Sequence, residues 1–338
     1  MIVIRADANE IIGTGHVMRC RSVADALEKA GQDVAFIVAD NRTKKLLGDF
    51  KSICLNSDWT DMEGELNKLL PLLNDLHPKA CIIDSYYVTD RYLKEIKEIT
   101  KTAYFDDLND SCWELDVLIN YNIFGTSLDY SGYKKNSTML CLGPQYAPLR
   151  NEFIGLPKRE IENKVADVLV SAGGVDPQKV TECIINNICP KWPTIRFHFV
   201  VGKLNPRIAD LKKFESGNII LHIDEKNMSG LMMNCDVAVS AAGTTLYELC
   251  ATGIPTVTYS LADNQLVATK EFESQGIMLS AGDYRDNDDF TIALEEKLTL
   301  LLDGKEKRKE LSGKMQSLVD GRGAVRVADE ILNIGRNA

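Results

Sequence analysis

Short apolar runs alternate with helical patterns along almost the whole chain, and this alternation restricts the fold more than any other feature. Ile2-Val3-Ile4, Val34–Val38, Cys81-Ile82-Ile83, Thr102–Phe105 and Val117-Leu118-Ile119 read as strands. Their apolar character is continuous rather than alternating, as expected for strands covered on both faces. Helical spacing of apolar residues fills the gaps, with Val17, Cys20, Ala24 and Leu27 on one stripe, a region from Glu63 to Leu76, and Tyr92–Thr100. A strand–helix–strand rhythm requires crossovers and so a mostly parallel sheet. The rhythm restarts near residue 165. Strands are expected at Asp167–Val170, Arg196–Val201, Asn218–Leu221, Asp236–Val239 and Thr256–Tyr259. Helices are expected at Gln178–Ile188, Met228–Asn234, Thr245–Thr252 and from Asn264, and the tail from Phe290 to Asn337 reads as mainly helical. The stretch from Gly143 to Arg159 carries three prolines and a shift in charge, which marks a boundary. We therefore expect two similar α/β domains facing each other across a cleft, one over 1–150 and one over 151–338 with a helical tail. A length of 338 residues suits two domains.

Composition removes several classes of function. The formal net charge of -10 argues against broad nucleic-acid binding and against anionic membrane surfaces. No run approaches the 18 or so apolar residues of a membrane span, and the N-terminus lacks the layout of a signal peptide, so a cytoplasmic protein is expected. The nine cysteines include no CxxC pair, and most lie inside apolar patterns; they are read as free thiols. Clustered Cys and His ligands for zinc are absent from the sequence.

In parallel sheets ligands gather at the carboxyl ends of the strands. Polar residues collect there: Asp7, Asp84, Asp106, Asp107, Asn120, Asn122, Gly173, Ser240 and Ser260. About half of these are accounted for by the general polarity of loops. The first turn, Gly13-Thr14-Gly15-His16, places a histidine at the start of an amphipathic helix. The positive helix end should keep that imidazole neutral near pH 7, where it can act as a general base. An ordinary strand-to-helix turn is an equally good reading of this motif alone. The strongest segment of the second half is Ser240-Ala241-Ala242-Gly243-Thr244-Thr245 with Glu248 one turn on. Small residues and a helix start offer exposed amides to a diphosphate, and Glu248 can accept hydrogen bonds from ribose hydroxyls. Gly173-Gly174 is a second glycine turn of the same kind, weak by itself. Of the other histidines, His198 reads as structural, His77 as solvated, and His222 as a lesser candidate for the nucleotide. Trp59, Trp113 and Trp192 are spread apart and are not expected to form a stacking platform.

Taken together these segments resemble a known family. The order of the turns is similar to the GT-B architecture, in which two Rossmann-like domains hold a nucleotide sugar. More narrowly, the chain resembles the pseudaminic acid pathway hydrolases and the SpsG proteins of spore coat polysaccharide biosynthesis. The resemblance rests on Ile4–Ala8 with Ile12–Cys20, Ile82-Ile83-Asp84 with Tyr86, Asp106-Asp107, and Asn120 with Asn122. It continues through Tyr146-Ala147, Leu149-Arg150 and Phe153, Gly173-Gly174 with Asp176, Ser240-Ala241 with Gly243–Glu248, and Ala262–Gln265. It covers roughly residues 1 to 280. It implies hydrolysis of a UDP-linked 2,4-diacetamido-2,4,6-trideoxy sugar, without an organic cofactor or a catalytic metal. His16 is then the catalytic base, and Asp7 either orients it or binds the sugar. Gly173, Gly174, Ser240, Gly243, Thr244, Thr245 and Glu248 are expected to hold UDP. Gly15, Arg19, Tyr86, Asn122, Asn264 and Gln265 are expected at the sugar. The chain departs from the family pattern at Val175, Ser85, Tyr121 and in the run Ala242–Thr245, positions expected to tune the sugar. A glycosyltransferase of the same architecture, a UDP-sugar epimerase and a non-catalytic nucleotide-sugar-binding protein remain as alternatives.

Overall fold

The computed structural model describes residues 1–9, 11–135, 137–203, 205–285 and 289–334; the expected tail residues beyond Ile334 lie outside them. The chain divides into two compact units, Met1–Asn151 together with Arg322 onward, and Glu152–Gly321.

The first unit runs β1 (Ile2–Ala6), α1 (Gly15–Lys29), β2 (Val34–Val38), α2 (Asn41–Lys44), β3 (Lys51–Cys54), α3 (Leu66–Leu76), β4 (Ala80–Asp84), α4 (Asp90–Lys97), β5 (Lys101–Phe105), β6 (Val117–Asn120) and β7 (Met139–Leu142). Its seven strands are all parallel, in the order β3-β2-β1-β4-β5-β6-β7. Ile4 pairs with Phe36 on one side and Ile82 on the other, so β1 is the strand from which the chain winds in both directions. β1, β2 and β4 are buried along their whole length. One face packs Val3, Ile37, Ile83 and Leu118 against Leu69, Leu73, Leu93 and Ile96 of α3 and α4.

The second unit runs β8 (Asp167–Ser171), α5 (Val180–Asn187), β9 (Arg196–Val201), α6 (Ile208–Leu211), β10 (Ile219–Ile223), α7 (Met228–Asn234), β11 (Val237–Ala241), α8 (Thr245–Thr252), β12 (Thr256–Ser260), α9 (Asp263–Ser274), β13 (Leu279–Asp283), α10 (Phe290–Asp303) and α11 (Lys305–Leu318). Its six parallel strands follow β10-β9-β8-β11-β12-β13, the same winding as the first sheet. Val168, Phe197, Val239 and Tyr259 meet Ile184 of α5 and Leu294 and Leu298 of α10 in its core.

Three strands absent from the sequence expectation are β3, β7 and β13, and each is the outermost strand at a sheet edge. An edge strand is covered less completely, so its residues need not form a continuous apolar run. The helical tail also departs from expectation. The last helix, α12 (Gly323–Ile334), belongs to the first unit and packs on α1. Gly323 makes this docking possible, because a Cβ there would sit 2.1 Å from the Ala147 carbonyl oxygen. Arg326 then donates to the Gln145 carbonyl at 2.8 Å. Among the described residues no helix is long and apolar enough to cross a membrane. All nine cysteines are free, and Cys112 is the exposed one.

α12 buries Ala324, Val327, Ala328 and Ile331. Ile331→Ala should therefore cost about 2–5 kcal/mol of stability, as buried isoleucine truncations do. Urea unfolding monitored by circular dichroism measures it, and a loss below about 0.5 kcal/mol would show that α12 adds little to the first unit.

Candidate functional site

The switch point of the first sheet lies between β1 and β4, where the winding reverses, and the loops after these strands carry the candidate residues. After β1 the chain turns through a compact knot. Asn9 Oδ1 accepts from the amides of Ile11 and Ile12 at 2.8 and 3.0 Å, and its carbonyl accepts from Gly13 N at 2.9 Å. Gly13 has φ +74°, a conformation glycine adopts without strain, and α1 starts two residues later. His16 thus sits in the first turn of α1, 8% exposed. Its Nδ1 is 3.3 Å from Asp84 Oδ1 at the end of β4, and its ring meets Tyr86 edge-on with centroids 4.6 Å apart. The carboxylate thus stands on the Nδ1 side of the ring.

Asp84 is held in turn by Arg19, one turn further along α1. The guanidinium grips both carboxylate oxygens at 2.6 Å. It also reaches Asp107 at 2.9 and 3.0 Å and the Tyr121 hydroxyl at 2.9 Å, and lies over the Phe105 and Tyr121 rings. Burial opposes the charge of Asp107, yet Arg19 prevails and holds its carboxyl below the ordinary value. Asp107 also accepts from the Tyr86 hydroxyl at 3.2 Å and from the Asn122 side-chain amide at 3.0 Å. His16, Arg19, Tyr86 and Asn122 are thus brought into one network, with Gly15 at the first position of α1. Arg19, expected at the sugar, instead spends its donors inside that network.

Asp7 is likewise engaged within the protein. One of its oxygens accepts from the Ala39 amide at 2.8 Å, and the other is bound by the buried Arg5. Asp84, which the sequence reading left without a role, is the carboxylate beside His16. Asp7 still lines the small pocket that contains His16, together with Ile12, Trp59, Ser85, Tyr86 and Tyr87. Trp59 also lines this pocket. It meets Tyr87 edge-on with centroids 5.4 Å apart, so an aromatic surface exists, built with a tyrosine rather than with another tryptophan. Asp106, Asn120 and Ser260, among the polar strand ends, serve their own neighbourhoods. Asp106 caps the turn at Leu108 and Asn109, Asn120 binds Tyr130 and Asn122, and Ser260 binds Thr269.

In the second sheet the switch point lies between β8 and β11, with Ser171 paired to Ser240. Gly173 and Gly243 follow these paired residues within three positions, so both glycine turns lie at the same strand ends. They differ in what occupies them. Asp176 accepts from the amides of Val180 and Thr181 at 2.9 and 3.0 Å, so the start of α5 already carries a carboxylate. The α8 start has no such cap: Thr244 makes no side-chain capping bond, and a Cβ on Gly243 would meet nothing within 4 Å. Thr245 is the first residue of α8, and Glu248 is half-buried in its first turn. Ser240 is buried and donates to the Ala241 carbonyl at 3.0 Å. Asn264 is exposed in the first turn of α9, whereas Gln265 folds back so that its Oε1 accepts from Leu261 N at 2.8 Å.

His198 and His222 form a pair on β9 and β10. Their rings stack, with His198 Nδ1 3.0 Å from His222 Nε2, and Asp167 binds His198 Nε2 at 2.8 Å. Glu225 lies 3.6 Å from His222 Nδ1.

The fold is that of the GT-B class, two parallel-sheet α/β domains of like topology. Acinetobacter baumannii MurG superposes with a TM-score of 0.72 at 13% identity, covering 98% of this chain and 99% of that one. The calicheamicin glycosyltransferase CalG4 superposes at 0.64 with 12% identity, covering 100% and 99%. These likenesses concern the fold alone. No family model matches the chain. By sequence it is related to the spore coat polysaccharide biosynthesis protein SpsG of Bacillus subtilis, 25% identical over 332 residues and 96% and 95% of the two chains. It is likewise related to the UDP-2,4-diacetamido-2,4,6-trideoxy-beta-L-altropyranose hydrolase of Campylobacter jejuni, 26% identical over 73% of this chain and 86% of that one. An uncharacterized Methanocaldococcus jannaschii protein is 28% identical over 76% of this chain, which spans 54% of its length.

The histidine pair makes stability depend on pH. Burial and the neighbouring His198 lower the pKa of His222, against the opposing pull of Glu225. Asp167, with its partner Arg196, bounds the other end of the pair. As pH falls through about 6.5 the unfolded chain takes up a proton that the folded His222 resists, so stability falls. His222→Gln should flatten this part of the profile of urea midpoint against pH. An unchanged slope between pH 7 and 5.5 would remove His222 as its source.

Proposed function

We propose that this chain hydrolyses a UDP-linked 2,4-diacetamido-2,4,6-trideoxyhexose to the free sugar and UDP, in nonulosonic acid or surface polysaccharide biosynthesis. The observation that carries the proposal is the buried His16 with Asp84 at its Nδ1. In this reading Asp84 fixes the ring so that Nε2 takes the proton from a water molecule. The water oxygen forms a bond to the anomeric carbon as the bond from that carbon to the diphosphate oxygen breaks. UDP departs with the bonding pair. Its diphosphate lies against the Gly243 turn, whose own amide donates to the Ala241 carbonyl, and is held by the main-chain amides of Thr244 and Thr245 at the start of α8, whose fixed dipoles stabilise the developing charge. Glu248 is the candidate for the ribose hydroxyls. The Gly173-Gly174 turn is the weaker of the two cradles, because Asp176 already fills the adjacent helix start. Tyr86 and Asn122, both bound to Asp107, are placed to meet polar groups of the sugar.

The likeness to solved glycosyltransferases favours a second reading, transfer of the sugar to an acceptor rather than to water. Incubation with the nucleotide sugar alone separates the two. Hydrolysis yields UDP and free sugar in equal amounts with no acceptor, identified by NMR. Release of UDP only after an acceptor is added would establish transfer, and an isomer still bound to UDP would establish epimerisation.

His16→Ala should lower kcat by roughly 10²–10⁴-fold, the usual share of a general base, with UDP affinity unchanged. Activity within a few-fold of the parent would exclude the assigned role. Gly243→Asp introduces a carboxylate at the bare start of α8, where a side chain meets no obstruction. It should weaken UDP binding about tenfold or more by calorimetry while leaving the melting temperature close to that of the parent. Unchanged UDP affinity would move the diphosphate away from α8.

A further inference from the structure

The wall of the His16 pocket has a chemistry that the proton transfer does not use. Asp7 is spent on Arg5 and the Ala39 amide, and Asp84 on Arg19 and His16. Much of the remaining lining is apolar: Ile12, Trp59 and Tyr87, with the ring of Tyr86. Tyr87 is 42% exposed and Trp59 is partly buried, an aromatic surface reaching solvent beside a buried histidine.

Trp59 is not on a loose segment. Ser57 N donates to the Ala39 carbonyl at 3.0 Å, and Ser57 Oγ donates to Glu65 at 2.9 Å. Glu65 is clamped by the fully buried Arg5 at 2.7 and 2.8 Å and accepts from the Tyr92 hydroxyl. On the far side of Trp59, Asp58 Oδ1 accepts from the amide and hydroxyl of Thr60 at 2.9 and 2.7 Å. Lys68 ties down the carbonyls of Leu55 and Asn56. Tyr87 is fixed by the bond from its amide to Ser85 Oγ at 3.1 Å. A rigid aromatic ring loses little conformational freedom on binding.

We propose that Trp59 is the specificity-determining residue of this pocket, and that with Tyr87 it selects a sugar presenting methyl or acyl carbon over one presenting hydroxyl at the same position. The proposal rests on the reading of the His16 pocket as the sugar site. A hydroxyl pressed against this wall gives up its bonds to water and finds few replacements, because the nearby carboxylates are engaged. A methyl or acetamido methyl loses nothing there and gains burial against the indole. One such group is worth roughly 10- to 200-fold in selectivity.

The test uses UDP-N-acetylglucosamine, UDP-glucose and UDP as probes, with affinities measured by calorimetry on the full chain and on W59A and W59F. The parent should bind the N-acetyl sugar at least tenfold more tightly than the hydroxyl sugar. W59A should lose most of this ratio by weakening the N-acetyl sugar, with UDP alone bound equally well, and W59F should keep most of it. A thermal melt of each variant, matched to the parent, shows that the first domain is intact. Equal weakening of both sugars by W59A, a ratio that W59A leaves unchanged, or no preference in the parent would overturn the role of Trp59. UDP release into water is scored separately. Hydrolysis with an unchanged W59A ratio sinks Trp59 and leaves the reaction standing, whereas a Trp59-dependent ratio without hydrolysis does the reverse.

Discussion

One buried guanidinium organises the strand ends of the first domain. Arg19 leaves α1 and binds Asp84 at the end of β4, Asp107 after β5 and Tyr121 after β6, three neighbouring strands in the sheet. Taking these charges out of water is costly, and their mutual attraction offsets that cost only because nearly every polar atom has a partner. The two-pronged grip on Asp84 matches the planar fork of arginine to the carboxylate, which a lysine would not reproduce. Burial disfavours the charge on Arg19, but the two carboxylates outweigh burial, and its pKa lies well above the ordinary arginine value. With the cation fixed, Asp84 is fixed, and through it the Nδ1 face of His16.

A second buried arginine explains why the two candidate carboxylates differ. Arg5 on β1 binds Glu65 at the start of α3 and also Asp7, just past the end of its own strand. Both oxygens of Asp7 are thereby engaged, one by Arg5 and one by the Ala39 amide. Asp84 is gripped as firmly, but its Oδ1 still lies 3.3 Å from an imidazole nitrogen. The distinction is one of geometry: each aspartate has its arginine, and Asp84 also stands beside the imidazole. The Arg5–Glu65 pair reaches further, since Glu65 also anchors the segment that carries Trp59.

The central strands could be read from sequence because burial on both faces leaves a plain apolar signal. β1, β2, β4 and β8 are of this kind, and each was expected within a residue or two. The edge strands could not. β3 reads Lys51-Ser52-Ile53-Cys54, β7 begins at an exposed Met139, and β13 contains Gly282 at φ +85° beside a register shift against β12. Strand-end locations followed from topology, so the positions of His16 after β1 and of the Gly243 turn after β11 were legible. Pairings between distant residues were not legible. Nothing local to Asp84 distinguishes it from Asp7, and Trp59 gains its partner Tyr87 only when the loops after β3 and β4 come together. The docking of α12 on α1 is hidden for the same reason, since an amphipathic helix does not state which face of which domain it covers.

The two sheets share a strand order but end in opposite electrostatic states. In the first, the switch point carries aspartates, an arginine and a histidine joined in one network of polar contacts. In the second, the equivalent position offers glycines and threonines, with the Gly243 amide donating to the Ala241 carbonyl at 2.9 Å. The contrast within the second sheet is sharper still. Asp176 supplies an anion to α5 from within the chain, and Arg207 reinforces that carboxylate at 3.3 Å. α8 begins on small residues with no acid of its own at the cap. A helix start that a protein fills with its own carboxylate competes with any ligand for the same amides, and one left bare does not. Of the two helix starts, α5 is the one with the chain's own carboxylate on its amides, whereas the N-cap side chain of α8 makes no capping bond.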